Sequence, residues 1–119
     1  MSRYDVIIIG AGPGGIFAAY ELAKKAPELK VAVFEAGNSL EKRKCPIDGK
    51  KIKSCINCKT CAIMSGFGGA GAFSDGKYNI TNDFGGTLYE YIGKDTAIDL
   101  MKYVDEINLA YGGEGTKMY

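Results

Sequence analysis

The sequence contains no histidine. That removes a histidine general base, a Ser-His-Asp triad and a histidine-bearing metal site from consideration. It has no excess of either charge, since 15 Lys and Arg nearly cancel 14 Asp and Glu for a net +1. The balance argues against a general nucleic-acid binder and against an intrinsically disordered chain. No apolar run approaches the roughly 18 residues a membrane helix needs. Arg3 and the apolar run from Val6 have the look of a secretory leader, but Asp5 and the stretch Gly10 to Gly15 interrupt it. We therefore expect no membrane segment, a cytoplasmic location, and thiols that are reduced or ligand-bound. The 119 residues leave room for about one domain. With 46% hydrophobic and 24% charged residues, the composition is that of an ordinary globular protein. Chemistry must come from cysteines, carboxylates or a bound cofactor.

The most legible segment is the first 35 residues. Val6-Ile7-Ile8-Ile9 is β-branched throughout and ends at Gly10, which predicts a strand buried on both faces. Residues 14–26 change to helical periodicity, with Ile16, Phe17, Tyr20 and Ala23 three and four apart, and Pro27 closes the helix. Lys30 to Phe34 supplies a second strand ending on Glu35. Strand, helix and strand in so short a span make a βαβ unit with parallel strands. Residues 36–82 read as a Cys- and Gly-rich loop region, and 83–113 as helical. Within the latter, 83–92 is a short helix weakened by Gly85 and Gly86. A longer helix over 95–111 carries Ala97, Ile98, Met101, Val104, Ile107 and Tyr111 on one face, with Asp95 as its cap.

Gly10-Ala11-Gly12-Pro13-Gly14-Gly15 follows a strand and opens a helix, and an acidic residue ends the next strand. In that context the glycines form a dinucleotide fingerprint. Gly10 allows the tight turn, Gly12 lets backbone approach a pyrophosphate, and Gly15 lets the helix pack close to the sheet. Free N–H groups and the helix dipole stabilise the phosphates. Pro13 is tolerated because a first-turn residue has no intrahelical acceptor to lose. Glu35 is placed to hold an adenosine ribose, and its charge repels a 2′-phosphate, favouring FAD or NAD over NADP. The alternative is a βα turn whose glycines serve packing alone.

Residues 41–60 hold seven basic side chains against Glu41 and Asp48, and the cysteines lie in or just beyond this stretch. Cys55, Cys58 and Cys61 at i, i+3 and i+6, with Cys45 upstream, could ligate an iron–sulfur cluster. Tetrahedral zinc, a redox-active dithiol and four unliganded thiols are the other readings.

Five of the 17 glycines (66, 68, 69, 71 and 76) fall within eleven positions. Such a backbone can lie against a flat ligand, and Phe67 and Phe73 speak against a solvated linker. Asp5 to Gly15, Phe34-Glu35-Ala36-Gly37 and Gly68 to Lys77 together resemble the uncharacterised FAD-dependent dehydrogenases, NAD(P)/FAD-dependent oxidoreductases of the glutathione-reductase-like flavoprotein superfamily. The resemblance covers about residues 4–80. It implies that Gly10 to Gly15 hold the FAD pyrophosphate and Glu35 the adenosine ribose. It also implies that Arg43 lies near the ribose or phosphates, that Ser65, Gly66, Gly68 and Gly69 lie toward the flavin, and that NAD(P)H is a co-substrate. The flavoproteins it resembles run to several hundred residues and return later segments to complete the sheet. The expectation is thus an α/β chain, the N-terminal part of a Rossmann-like FAD-binding domain with an incomplete sheet, inactive alone. Its substrate or electron partner and its catalytic residues are unassigned. The rival functions are an iron–sulfur or zinc module on a βαβ scaffold, and an NAD-binding domain without flavin.

Overall fold

A computed structural model describes residues 3–83 and 85–113. The chain divides into two compact units, Met1–Ser74 and Asp75–Tyr119. The first opens with β1 (Val6–Ile9), α1 (Pro13–Lys25) and β2 (Val31–Phe34). The strands are parallel, with Val6 opposite Val31 and Ile9 opposite Phe34. Asp5 anchors the start of the pair, its carboxylate accepting the Lys30 N–H at 2.9 Å. At the other end the Gly10 N–H donates to the Phe34 carbonyl at 2.7 Å. The expected βαβ unit is present, and the sheet has these two strands alone among the described residues.

Burial departs from expectation. β1 is covered on one face, whereas Ile7 is 58% and Ile9 89% exposed. The reason is geometric: α1 packs on the face that carries Ile8, and among the described residues the sheet has only two strands. On α1, Ile16, Phe17 and Tyr20 are half-buried as the periodicity predicts, but Ala23 is exposed. Lys24 and Lys25 in the last turn complement the negative end of the helix.

After β2 the chain runs through two short 3₁₀ turns, Leu40–Lys42 and Ala70–Phe73. The rest of this region is irregular, as the sequence suggests. In the second unit, α2 (Leu88–Ile92) and α3 (Lys94–Asn108) follow one another across Gly93. The helix expected over 83–92 is thus realised only from Leu88, because Gly85 and Gly86 adopt left-handed φ of 85° and 83°; Phe84 lies outside the described residues. α3 buries Ala97 and half-buries Ile98, Met101, Val104 and Ile107. Asp95 does not cap it: Gly93 precedes the first turn, with no side-chain hydrogen bond. Tyr111 leaves the apolar face and is 79% exposed, since the helix ends at Asn108 and Leu109–Gly113 winds into a wider turn. Among the described residues no helix is long and apolar enough to cross a membrane.

Candidate functional site

The most enclosed part of the first unit is the joint between its two glycine-rich segments. Ala11, Arg43 and Gly66 are its only fully buried residues among those described. The turn after β1 depends on glycine at two points. Gly10 has φ +98°, open to glycine but strained for other residues. A Cβ on Gly15 would lie 1.9 Å from the Gly10 carbonyl oxygen and 3.2 Å from Ile8 Cγ2, so its bare backbone lets α1 press onto β1. Above Gly12 and Gly14 the space is open: a Cβ on Gly12 would meet only Gly69 Cα at 4.0 Å, and one on Gly14 nothing within 4 Å.

The main-chain donors of this turn fall into two groups. Gly10 N–H serves β2, and Ala11 N–H donates to Glu35 Oε2 at 2.8 Å. The N–H groups of Gly12, Gly14 and Gly15 have no acceptor among the described residues. They belong to the opening turn of α1, where the helix offers no partner and its dipole is positive. An acidic, diphosphate-like group fits that combination of open space and unpaired donors.

Glu35 is half-buried and uses both oxygens, Oε2 on the Ala11 N–H of the turn and Oε1 accepting the Gly37 N–H beyond β2 at 2.8 Å. The Ala11 N–H, then the Gly37 N–H, hold its carboxyl below the usual glutamate range, and the Arg43 charge adds to this. Each oxygen keeps a further lone pair for a hydroxyl donor.

The second glycine-rich segment docks on the first. Gly68 N–H donates to the Ala11 carbonyl at 2.7 Å, Phe67 N–H to Asn38 O at 3.0 Å, and Gly69 packs on Gly12 and Pro13. Ser65 N–H and Gly69 N–H are satisfied by Cys61 O and Gly66 O. The amides of Ser65, Gly68 and Gly69 are therefore bonded within the protein. Of the three, only the Gly68 bond joins the two segments; those of Ser65 and Gly69 are local.

Arg43 is likewise engaged within the protein. Its guanidinium donates to three main-chain carbonyls: Nε to Ala62 at 2.8 Å, Nη1 to Phe67 at 2.5 Å and Nη2 to Ile63 at 2.6 Å. It also stacks on Phe73, 4.8 Å from the ring centre. Each of the three nitrogens of the planar fork thus donates to a backbone oxygen of residues 62–67.

The cysteines are not gathered. Cys45, Cys55, Cys58 and Cys61 are all exposed and free, and no three metal-ligating side chains group together among the described residues. The i, i+3, i+6 spacing does not by itself bring thiols together, and this segment is irregular, with Asn57 at φ +52°. Cys55 Sγ accepts the Asn57 N–H at 3.4 Å. Among the described residues the four thiols thus form no shared ligand set.

Sequence reasoning missed Asn38, Ala62 and Ile63 as parts of this joint. They act through main-chain atoms, which any residue carries. Gly37 and Phe73 stood out in the sequence without this role: a Cβ on Gly37 would lie 2.5 Å from Gly66 Cα, and Phe73 lies under the Arg43 guanidinium.

The Thi4 family model matches residues 1–41, the part of the chain that forms the βαβ unit and Glu35. A thiamine thiazole synthase of Yarrowia lipolytica is 64% identical over 33 residues, 28% of this chain and 10% of that protein. One of Candida albicans (strain SC5314) is 54% identical over 35 residues, 29% of this chain and 10% of that protein. An uncharacterized protein of Clostridium beijerinckii is 39% identical over 71 residues, 60% of this chain and 13% of that protein. That last match is longer than the βαβ unit itself. The matches span about a tenth of the length of these relatives. No solved structure gives a significant match.

Proposed function

We propose that this chain is the N-terminal, FAD-binding portion of an FAD-dependent oxidoreductase of the cytoplasm. The observation that carries the reading is the Glu35 carboxylate bonded to the Ala11 amide, directly beside the three unpaired N–H groups of Gly12, Gly14 and Gly15. In this reading those amides bind the diphosphate, and the remaining lone pairs of Glu35 accept the adenosine ribose hydroxyls. The match to the Thi4 family over residues 1–41 supports a dinucleotide ligand at this turn. When bound, FAD supplies hydride or electron transfer, with NAD(P)H as electron source and a small molecule or electron carrier as partner. The protein's own part is to fix the diphosphate, orient the ribose and exclude a 2′-phosphate by the charge of Glu35. No catalytic acid or base is assigned. A zinc or iron–sulfur function finds no support in the scattered thiols.

The test is titration of the full chain with FAD, NAD and NADP, followed by flavin fluorescence and calorimetry. Saturable FAD binding that exceeds binding of NAD, with NADP weakest, is expected. Failure to take up any dinucleotide, or a preference for NADP, overturns the reading.

A further inference from the structure

Arg43 is the one buried charged side chain among the described residues, at 3% exposure. A buried guanidinium persists only where its donors are matched. Here they are matched by carbonyls at Ala62, Ile63 and Phe67, 19 to 24 residues away in sequence. Two consequences follow from that placement. The contact to Ala62 brings together the two ends of segment 44–61, so one side chain closes the base of the loop that carries all four cysteines. The contact to Phe67 fixes the residue next to Gly68, whose N–H bonds the Ala11 carbonyl in the first glycine turn.

We propose that Arg43 is a positioning residue that touches no ligand and acts through residues 62–68, holding the second glycine-rich segment against the turn at Ala11 and Gly12. The dinucleotide part of the proposal rests on the function proposed above; the loop-ordering part does not. Lysine cannot replace the fork, because one ammonium nitrogen cannot stand in for three separate nitrogens, each bonded to its own carbonyl. A residue that served the phosphates by charge alone would accept lysine, and its loss would be felt less at high salt.

The experiment compares the full wild-type chain with Arg43→Lys and Arg43→Met, by amide hydrogen exchange and by FAD affinity at low and high salt. In both variants the Phe67 and Gly68 amides should exchange about tenfold faster or more, the range expected for losing a charge-assisted hydrogen bond. The β1 and α1 amides should keep wild-type rates. FAD affinity should fall by about tenfold in both variants, equally at both salt concentrations. The proposal is overturned if Arg43→Lys matches wild type in exchange and affinity. A salt-sensitive loss of affinity with Phe67 and Gly68 still protected also overturns it, and makes Arg43 a direct ligand. Loss of protection throughout β1 and α1 in Arg43→Lys overturns it as well, since the residue would then support the whole unit. If the wild type takes up no FAD, the functional reading fails, while the exchange rates still decide whether Arg43 orders the loop.

Discussion

Glu35 shows how one side chain sets the geometry of a ligand turn and makes its stability depend on pH. Its carboxylate accepts the Ala11 and Gly37 amides, and folding holds it below the ordinary value of 4.5. The stabilisation is therefore fully present above pH 4.5 and is lost as pH falls through the lowered native value. Glu35→Gln should lower the urea midpoint at pH 7, with the gap to wild type closing as the pH drops below 4.5. A gap that stays constant over that range would show that the carboxylate is not the source. Gly15 and Gly14 make a second, steric contrast. Gly15→Ala forces a methyl against the Gly10 carbonyl and should cost about 1–3 kcal/mol. Gly14→Ala points into open space and should stay within about 0.5 kcal/mol of wild type. Thermal unfolding of the two variants measures the difference directly.

At the level of elements, the βαβ unit is one-sided. Ile8 faces α1 while Ile7 and Ile9 face away, and Phe34 is 55% exposed on β2. Ile8→Ala should cost about 1–3 kcal/mol, less than a fully buried isoleucine because the site is only half-covered. Ile9→Thr, at 89% exposure, should change stability by about 0.5 kcal/mol or less. Equal losses in both variants would mean that both faces are covered in solution. α3 illustrates the opposite case, an apolar stripe whose sidedness the periodicity predicts correctly up to the point where the helix ends.

For the molecule as a whole, each unit is held by few buried side chains. Ala97 is the fully buried residue of the second unit among those described, and the first is closed around Ala11, Arg43 and Gly66. Its centre is a hydrogen-bonded joint of main-chain groups rather than an apolar core. The cysteine-bearing segment lies outside that joint. A thiol reagent applied to the native chain without denaturant should therefore modify all four cysteines at similar rates. Rates that differ widely, or that rise sharply on adding a chelator, would reveal a centre that gathers the thiols.

Residues 5–35 are legible in the sequence because their signals are local. A β-branched run, a glycine turn and a 3.6-residue periodicity each act within a few neighbours. The same holds for Glu35, placed by the length of the strand it ends. Tertiary structure alone decided the rest, for reasons that lie between distant parts of the chain. Which face of β1 is covered depends on what packs there. Whether thiols converge depends on the path of an irregular loop, and the spacing of Cys55, Cys58 and Cys61 does not set that path. The hydrogen-bond partners of Arg43 are carbonyls about twenty residues away, and a backbone oxygen leaves no mark in the sequence that carries it.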